Sequence, residues 1–157
     1  MPITQAMCTS FKAEILLCVH DFRNTGGDTF KMALYTSSAD LNANTTTYTT
    51  TGEVTGTNYT AGGNNLVNGG VTASNTSTSA GTGFTTFSNT TWTNATITAR
   101  GALIYNNTPS ANGTANTTLT NAAVAALDFG ADRTSTAGDF TVIFPSATNT
   151  TAIIRIA

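Results

Sequence analysis

The chain has 157 residues, of which 36 are threonine and only 14 are charged, and its formal net charge is −2. The length suits one ordinary domain, and the six basic residues are scattered, whereas nucleic acid and anionic membranes are bound by clustered Lys and Arg. No apolar run approaches the ~20 residues of a membrane span, and no basic region followed by an apolar stretch predicts a signal peptide.

The abundance of threonine favours strands over disorder. Threonine is β-branched and suits a pleated, half-exposed surface, whereas disordered chains prefer Ser, Pro, Glu and Lys. Serine occupies only 10 positions. We therefore predict a mainly β protein, an antiparallel β-sandwich or barrel (a jelly roll being one form) with one N-terminal α-helix. Residues 1–157 are predicted to form a single β-rich domain.

The N-terminal part of this domain is predicted to be an extended arm over residues 1–9 and a helix over residues 10–21. Four apolar residues recur at spacings of four, three and four and mark one helical face: Phe11, Ile15, Cys18 and Phe22. Leu16 widens that face. The face either packs on the sandwich or docks on a neighbouring molecule, and the arm is a candidate latch.

Cys8 and Cys18 are not expected to form a disulfide. If Cys18 lies on a helix, ten residues separate the thiols by up to ~15 Å, whereas a bridge needs Cα atoms within about 7 Å. Both are predicted to be small, buried hydrophobic residues, in a chain made in a reducing cytosol.

Further along the chain, short apolar strands alternate with polar loops. The predicted strands are 30–35, 95–105, 122–129, 139–144 and 152–156, with a turn at Gly130. The run 44–51 is either a polar edge strand or an extended loop. Asn-Gly at 68–69 predicts a short hairpin within 64–74. Loops are predicted at 75–83 and 106–120.

The sequence nominates no catalytic residue, metal site or cofactor, and we predict that the protein is not an enzyme. His20 is the only histidine, so a multi-histidine metal site is excluded, and its place at the predicted helix end suits a structural role. The spacing of Asp128, Asp132 and Asp139 does not match a calcium-binding loop. Asp132 is predicted to pair locally with Arg133.

Aromatic and helix residues supply the candidates for an interaction site. Trp92, Tyr48 and Tyr59 could stack on sugars or anchor an interface, because aromatic residues are common binding hot spots. The alternative for Trp92 is a core position at one end of the sandwich. The interface candidates are therefore Phe11, Ile15, Tyr48, Tyr59 and Trp92.

Four stretches together resemble a known family. They are FKMALYTSSADL (30–41), YTTTGEVTGTNYTAGG (48–63), WTNATITARGALIYN (92–106) and ALDFG (126–130). They resemble small structural proteins of tailed-bacteriophage and prophage virions, and the resemblance extends from about residue 5 to residue 145. It implies a protein that assembles in the bacterial cytoplasm and then remains in the virion.

Within such a virion, the leading hypothesis is a capsid decoration, or cement, protein that bridges neighbouring capsid subunits. Its expected partners are the major capsid protein or other virion proteins and further copies of itself, with no nucleic acid and no membrane. A tail, collar or fibre-associated protein is the alternative. A host-glycan-binding module is a third hypothesis. A surface with little charge fits the first two, because it favours contact with protein over solubility.

Overall fold

The computed structural model describes residues 2–76, 79–111, 114–115 and 118–157 and is mainly β. One short helix, α1, lies near the N-terminus (Thr9–Leu16). The strands are β1 (Ala6–Met7), β2 (Phe30–Tyr35), β3 (Asn64–Asn65), β4 (Asn68–Thr76), β5 (Ser79–Phe87), β6 (Thr90–Asn106), β7 (Ser110–Ala111), β8 (Thr114–Ala115), β9 (Ala122–Val142) and β10 (Ile154–Ile156).

The strands form two main antiparallel sheets. The larger sheet has the order β1-β9-β6-β2-β3, the smaller has the order β10-β5-β4, and β7 and β8 form a separate two-stranded ribbon. The two main sheets remain open and do not close on themselves. The mainly β prediction is confirmed in its sandwich form, and the barrel alternative is not adopted.

The long pair β6–β9 forms the centre of the larger sheet. Its register extends from Thr90 opposite Val142 to Asn106 opposite Ala122, with several bulges. The strands predicted at 122–129 and 139–144 are thus parts of one continuous strand. Gly130 does not end a strand: it adopts a φ of 74° within the ladder, where the register shifts. A glycine accepts this conformation without steric cost, so it serves a bulge as well as a turn.

The burial pattern of β6 changes along its length. Between Ala95 and Ala99 buried and exposed side chains alternate, as the period-two pattern predicts. From Gly101 to Asn106 every residue is buried. The N-terminal segment covers this part, since a Cβ built on Gly101 would lie 2.9 Å from Cδ1 of Ile3.

The N-terminal segment, predicted to be an extended arm, is fastened to its own sandwich. Ile3 is buried, and the amide of Thr4 donates to the carbonyl of Leu41 at 2.8 Å. Strand β1 then pairs with β9 at the edge of the larger sheet. The segment therefore completes this sheet, which leaves little of it free to act as a latch.

Helix α1 ends at Leu16, five residues earlier than predicted. The amide of Val19 donates to the carbonyl of Glu14 and that of Cys18 to Ile15, while Cys18 adopts a φ of 56°. This is a Schellman motif, which ends a helix with one left-handed residue. Cys18 consequently points to solvent, contrary to the prediction, while Cys8 is buried. Burial raises the pKa of the Cys8 thiol to about 11.

Other differences concern the Thr/Asn/Gly-rich middle of the chain. The run 44–51 is an extended loop with one isolated bridge, between Thr47 and Ala122. The hairpin predicted within 64–74 is replaced by β3 and β4, which belong to different sheets. The predicted loops contain the β4–β5 hairpin and the β7–β8 ribbon. Residues 77–78, 112–113 and 116–117 of these loops lie outside the described part of the chain.

Stacked aromatic rings join the two sheets in the core. Phe22 stacks on Phe30 with ring centroids 4.3 Å apart, and Phe30 meets Phe87 of the smaller sheet at 5.6 Å. Phe87 continues to Phe144 at 5.5 Å. Such pairs add specific geometry to the burial of large apolar area. Within the described ranges, no helix has the length and apolarity that crossing a bilayer requires.

Candidate functional site

The five interface candidates do not form one surface. Phe11 is fully buried and Trp92 is 3% exposed, so both belong to the core and offer no surface to a partner. Ile15, Tyr48 and Tyr59 are partly buried and pack against this core. Of the five, only Ile15 borders an exposed apolar region.

Tyr48 and Tyr59 converge on one acid, Glu53. Their hydroxyls donate to its carboxylate at 2.6 and 2.7 Å, and the amide of Gly62 donates to it at 2.7 Å. The Tyr59 oxygen also accepts the amide of Leu34 in β2 at 2.8 Å. The sequence contains no signal for this hub, because nothing in the Thr-rich run marks the half-buried Glu53 as an acceptor for distant groups.

The structure also places Trp92 where it cannot stack on a sugar. Its ring stacks with Tyr59 at a centroid distance of 6.0 Å and meets the edge of Phe140 at 6.2 Å. The indole nitrogen is buried, and no hydrogen-bond partner for it exists among the described residues. The alternative interpretation of Trp92, a core residue, is the one the geometry supports.

Exposed apolar side chains gather instead around the end of α1. Leu16 and Leu17 are 84% and 70% exposed. Ile15, which precedes them in the chain, lines an apolar groove of about 150 Å³ together with residues of the smaller sheet. Its apolar lining residues are Ile15, Phe22, Val71, Phe84, Ile154 and Ile156. Leu16, which the periodicity adds to the apolar face of the helix, is therefore not packed on the sandwich.

A second polar network lies beneath this helix end and centres on His20. The His20 side chain is fully buried, and its Nε2 lies 2.7 Å from Oε2 of Glu14. Its Nδ1 faces the Asn106 amide nitrogen at 2.9 Å, and that nitrogen also donates to Asp28 at 2.7 Å. Asp28 further accepts the Ser110 hydroxyl at 2.5 Å. Ser110 makes no contact with His20 of the kind that activates a nucleophile, since its hydroxyl donates to Asp28 and both ring nitrogens of His20 are occupied.

Three of the remaining acids, Asp21, Asp128 and Asp132, lie in surface ion pairs with arginines. Arg100 contacts Asp128 at 3.6 Å and Asp132 at 3.3 Å. The predicted pair of Asp132 with Arg133 is not formed, and Arg133 donates to the carbonyl of Phe129 instead. Over the described ranges, no three His, Cys, Asp or Glu side chains cluster in a way that could hold a metal ion.

Comparison of the chain with protein-family models, with curated proteins and with solved structures finds no match.

Proposed function

We propose that the chain is a non-enzymatic structural protein of a tailed-bacteriophage virion, most simply a capsid decoration protein. In this role it binds the capsid exterior as a symmetric homo-oligomer and bridges neighbouring capsid subunits. The resemblance of four stretches to phage virion proteins supports the proposal. A charge-poor sandwich is compatible with it, because contact through area rather than charge is insensitive to ionic strength.

The observation that carries the proposal is the exposed apolar surface around the end of α1. Leu16, Leu17 and Ile156 are each more than half exposed, and Ile15 and Ile156 line the apolar groove. Exposed apolar patches of this kind mark protein-interaction surfaces. Burial of each leucine against a partner contributes about 1.5–3 kcal/mol.

The engagement of the polar groups supports a non-enzymatic role. Both ring nitrogens of His20 are occupied within the protein, and Asp28 and Glu53 each accept several hydrogen bonds from the chain itself. A general base must reach a substrate proton directly or through one water, and these three groups point into the protein. The glycan-binding hypothesis loses support as well, because Trp92 is buried and the hydroxyls of Tyr48 and Tyr59 are bound to Glu53.

The test is the position and copy number of the protein in purified particles of the phage or prophage that encodes it, imaged at subunit resolution. A copy number on the order of hundreds, on the outer shell, is expected for a decoration protein. A small multiple of three or six at the tail or collar would replace this role with the alternative. Absence from the particle would overturn the virion proposal itself.

A surface variant tests the binding face. Substitution of Leu16 and Leu17 together by Asp is expected to reduce occupancy on particles at least tenfold, because two charges would enter the interface. Ile143→Asp is the control, since Ile143 is 75% exposed but follows strand β9 and does not belong to the end of α1. Equal occupancy of the double variant and the control would exclude this face as the binding surface.

A further inference from the structure

The surroundings of His20 define its hydrogen-bonding state. The Asn106 side chain has one orientation that suits its neighbours: its Oδ1 accepts the amide of Thr108 at 3.0 Å, and its Nδ2 donates to Asp28. The same Nδ2 faces Nδ1 of His20, so this ring nitrogen must accept. The proton of the neutral ring therefore resides on Nε2 and is donated to Glu14.

We propose that His20 is a pH-sensitive clasp that holds the end of helix α1 to the end of strand β6. In the neutral ring, one nitrogen donates to Glu14 of the helix and the other accepts from Asn106 of the strand. Protonation places an N–H on Nδ1, directly against the N–H of Asn106. Two donors then face each other, and the clasp opens.

The charged groups that act on the ring are two carboxylates, and both favour its protonated form. Glu14 faces it from α1, and Asp28 faces it through Asn106 from the segment before β2. Asp21 and Arg23 of the intervening loop pair with each other, while β6 contributes only the neutral Asn106. Aromatic rings of Phe11, Phe22 and Phe30 surround the imidazole.

Burial outweighs the two carboxylates. It lowers the pKa of His20 below its ordinary value of 6.5, against the hydrogen bond to Glu14 and the charges of Glu14 and Asp28. Because the open form regains the ordinary pKa, the closed form binds fewer protons. The clasp is therefore closed at neutral pH and loses stability as the pH falls below 6.5.

Opening has a consequence for the neighbouring surface. The ring packs against Phe11 with centroids 4.9 Å apart, and His20 also borders the apolar groove. Release of the helix end would uncover Phe11 and widen the groove. Acidic pH thus increases the apolar area near Leu16 and Leu17.

The tautomer and titration of His20 are directly measurable, because it is the only histidine. Imidazole ¹⁵N shifts are expected to show the neutral Nε2–H form at neutral pH and a pKa below 6.5. Exchange protection of the Thr108 and Asp21 amides, which donate to Asn106 and Asp28, should fall by up to about tenfold per pH unit below that value. A ring that is charged at neutral pH, or that carries its proton on Nδ1, would overturn the proposal.

Three variants distinguish opening of the clasp from a loss of stability that low pH causes elsewhere in the protein. Glu14→Gln keeps an acceptor for Nε2–H but removes a charge that favours the protonated ring, so the pKa of the native imidazole should fall further and the loss of protection should continue to lower pH. Asp40→Asn removes a carboxylate that takes no part in the network and should leave the transition where it is. His20→Gln should make protection independent of pH from about 5 to 7.5. Persistence of the pH dependence in His20→Gln would refute the clasp, and if that variant does not fold, the tautomer and the Glu14→Gln shift decide.

Discussion

At the scale of single residues, Cys18 holds a conformation that is unusual for a residue with a side chain. It occupies the left-handed position after the helix, where glycine is the usual residue. Left-handed backbone costs an L-residue roughly 1–2 kcal/mol. The left-handed conformation of Cys18 turns the chain directly after the helix, which allows His20 to lie beneath it and contact Glu14.

Cys18→Gly is therefore expected to raise the free energy of unfolding by about 0.5–1 kcal/mol, since glycine relieves the strain but gains entropy in the unfolded chain. Little packing is lost because Cys18 is exposed. Equilibrium urea unfolding, followed by fluorescence of the single tryptophan, measures the change. Cys18→Ser retains the Cβ and should leave the stability unchanged. A Gly variant no more stable than the Ser variant would show that the position is not strained.

At the scale of elements, the long connection over residues 36–63 depends on Glu53. The connection contains little regular structure, yet it is fastened to β2 through Tyr59 and Leu34. The end of the connection, where it leads into β3 beside β2, also requires Gly63. This residue has a φ of 67°, and a Cβ on it would lie 1.7 Å from the Met32 carbonyl oxygen. One carboxylate and one close backbone approach are thus among the contacts that order the connection.

Removal of the carboxylate should destabilise the protein markedly. Glu53→Ala leaves the hydroxyls of Tyr48 and Tyr59 and the amide of Gly62 without their acceptor, which costs about 2–4 kcal/mol in the free energy of unfolding. Glu53→Gln keeps one oxygen and should cost about half as much. Urea unfolding gives both values.

A double-mutant cycle shows whether the loss arises at the proposed contacts. Tyr48→Phe should destabilise the native protein but have little further effect in the Glu53→Ala background, because its hydrogen bond is already absent. Additive effects of the two substitutions would mean that Glu53 acts elsewhere.

How far the sequence predicts the elements depends on how local their signals are. The strand over 30–35 follows from adjacent residues and coincides with β2, and the predicted strand over 95–105 lies within β6 but alternates in burial only from Ala95 to Ala99. The sequence does not predict the end of α1, because the helix ends with Cys18 in a left-handed conformation, a position that glycine usually occupies. The His20 network joins residues 86 positions apart, so periodicity could not reveal it. Of the five interface candidates, only Ile15 lies at the exposed apolar surface, because the contacts that cover the others involve residues distant in the sequence.

At the scale of the whole molecule, the scarcity of charge leaves few groups to determine how stability depends on pH. The four tyrosines are exceptions, because each lies partly or wholly inside the protein near Glu53. Burial, reinforced by the charge of Glu53, raises the pKa of Tyr105 to about 12 and raises those of Tyr35, Tyr48 and Tyr59 further. Because the pKa of all four phenols is raised in the folded protein, the free energy of unfolding depends on pH in the alkaline range.

We expect the free energy of unfolding to fall as the pH rises above about 10, where the phenols add to the loss that the buried Cys8 thiol begins above 9.0. In the unfolded chain the phenols ionise near their ordinary pKa of 10.0, whereas in the folded protein they remain protonated. The folded state then binds more protons, and each tyrosine contributes a loss of about 1.4 kcal/mol per pH unit. Urea unfolding from about pH 8 to 11 measures the loss of stability, and the phenolate absorbance of the native protein measures the ionisation of its tyrosines. Tyr105→Phe should reduce the dependence of stability on pH by the contribution of one tyrosine. Native phenols that ionise at their ordinary pKa would show that the tyrosines do not link stability to pH.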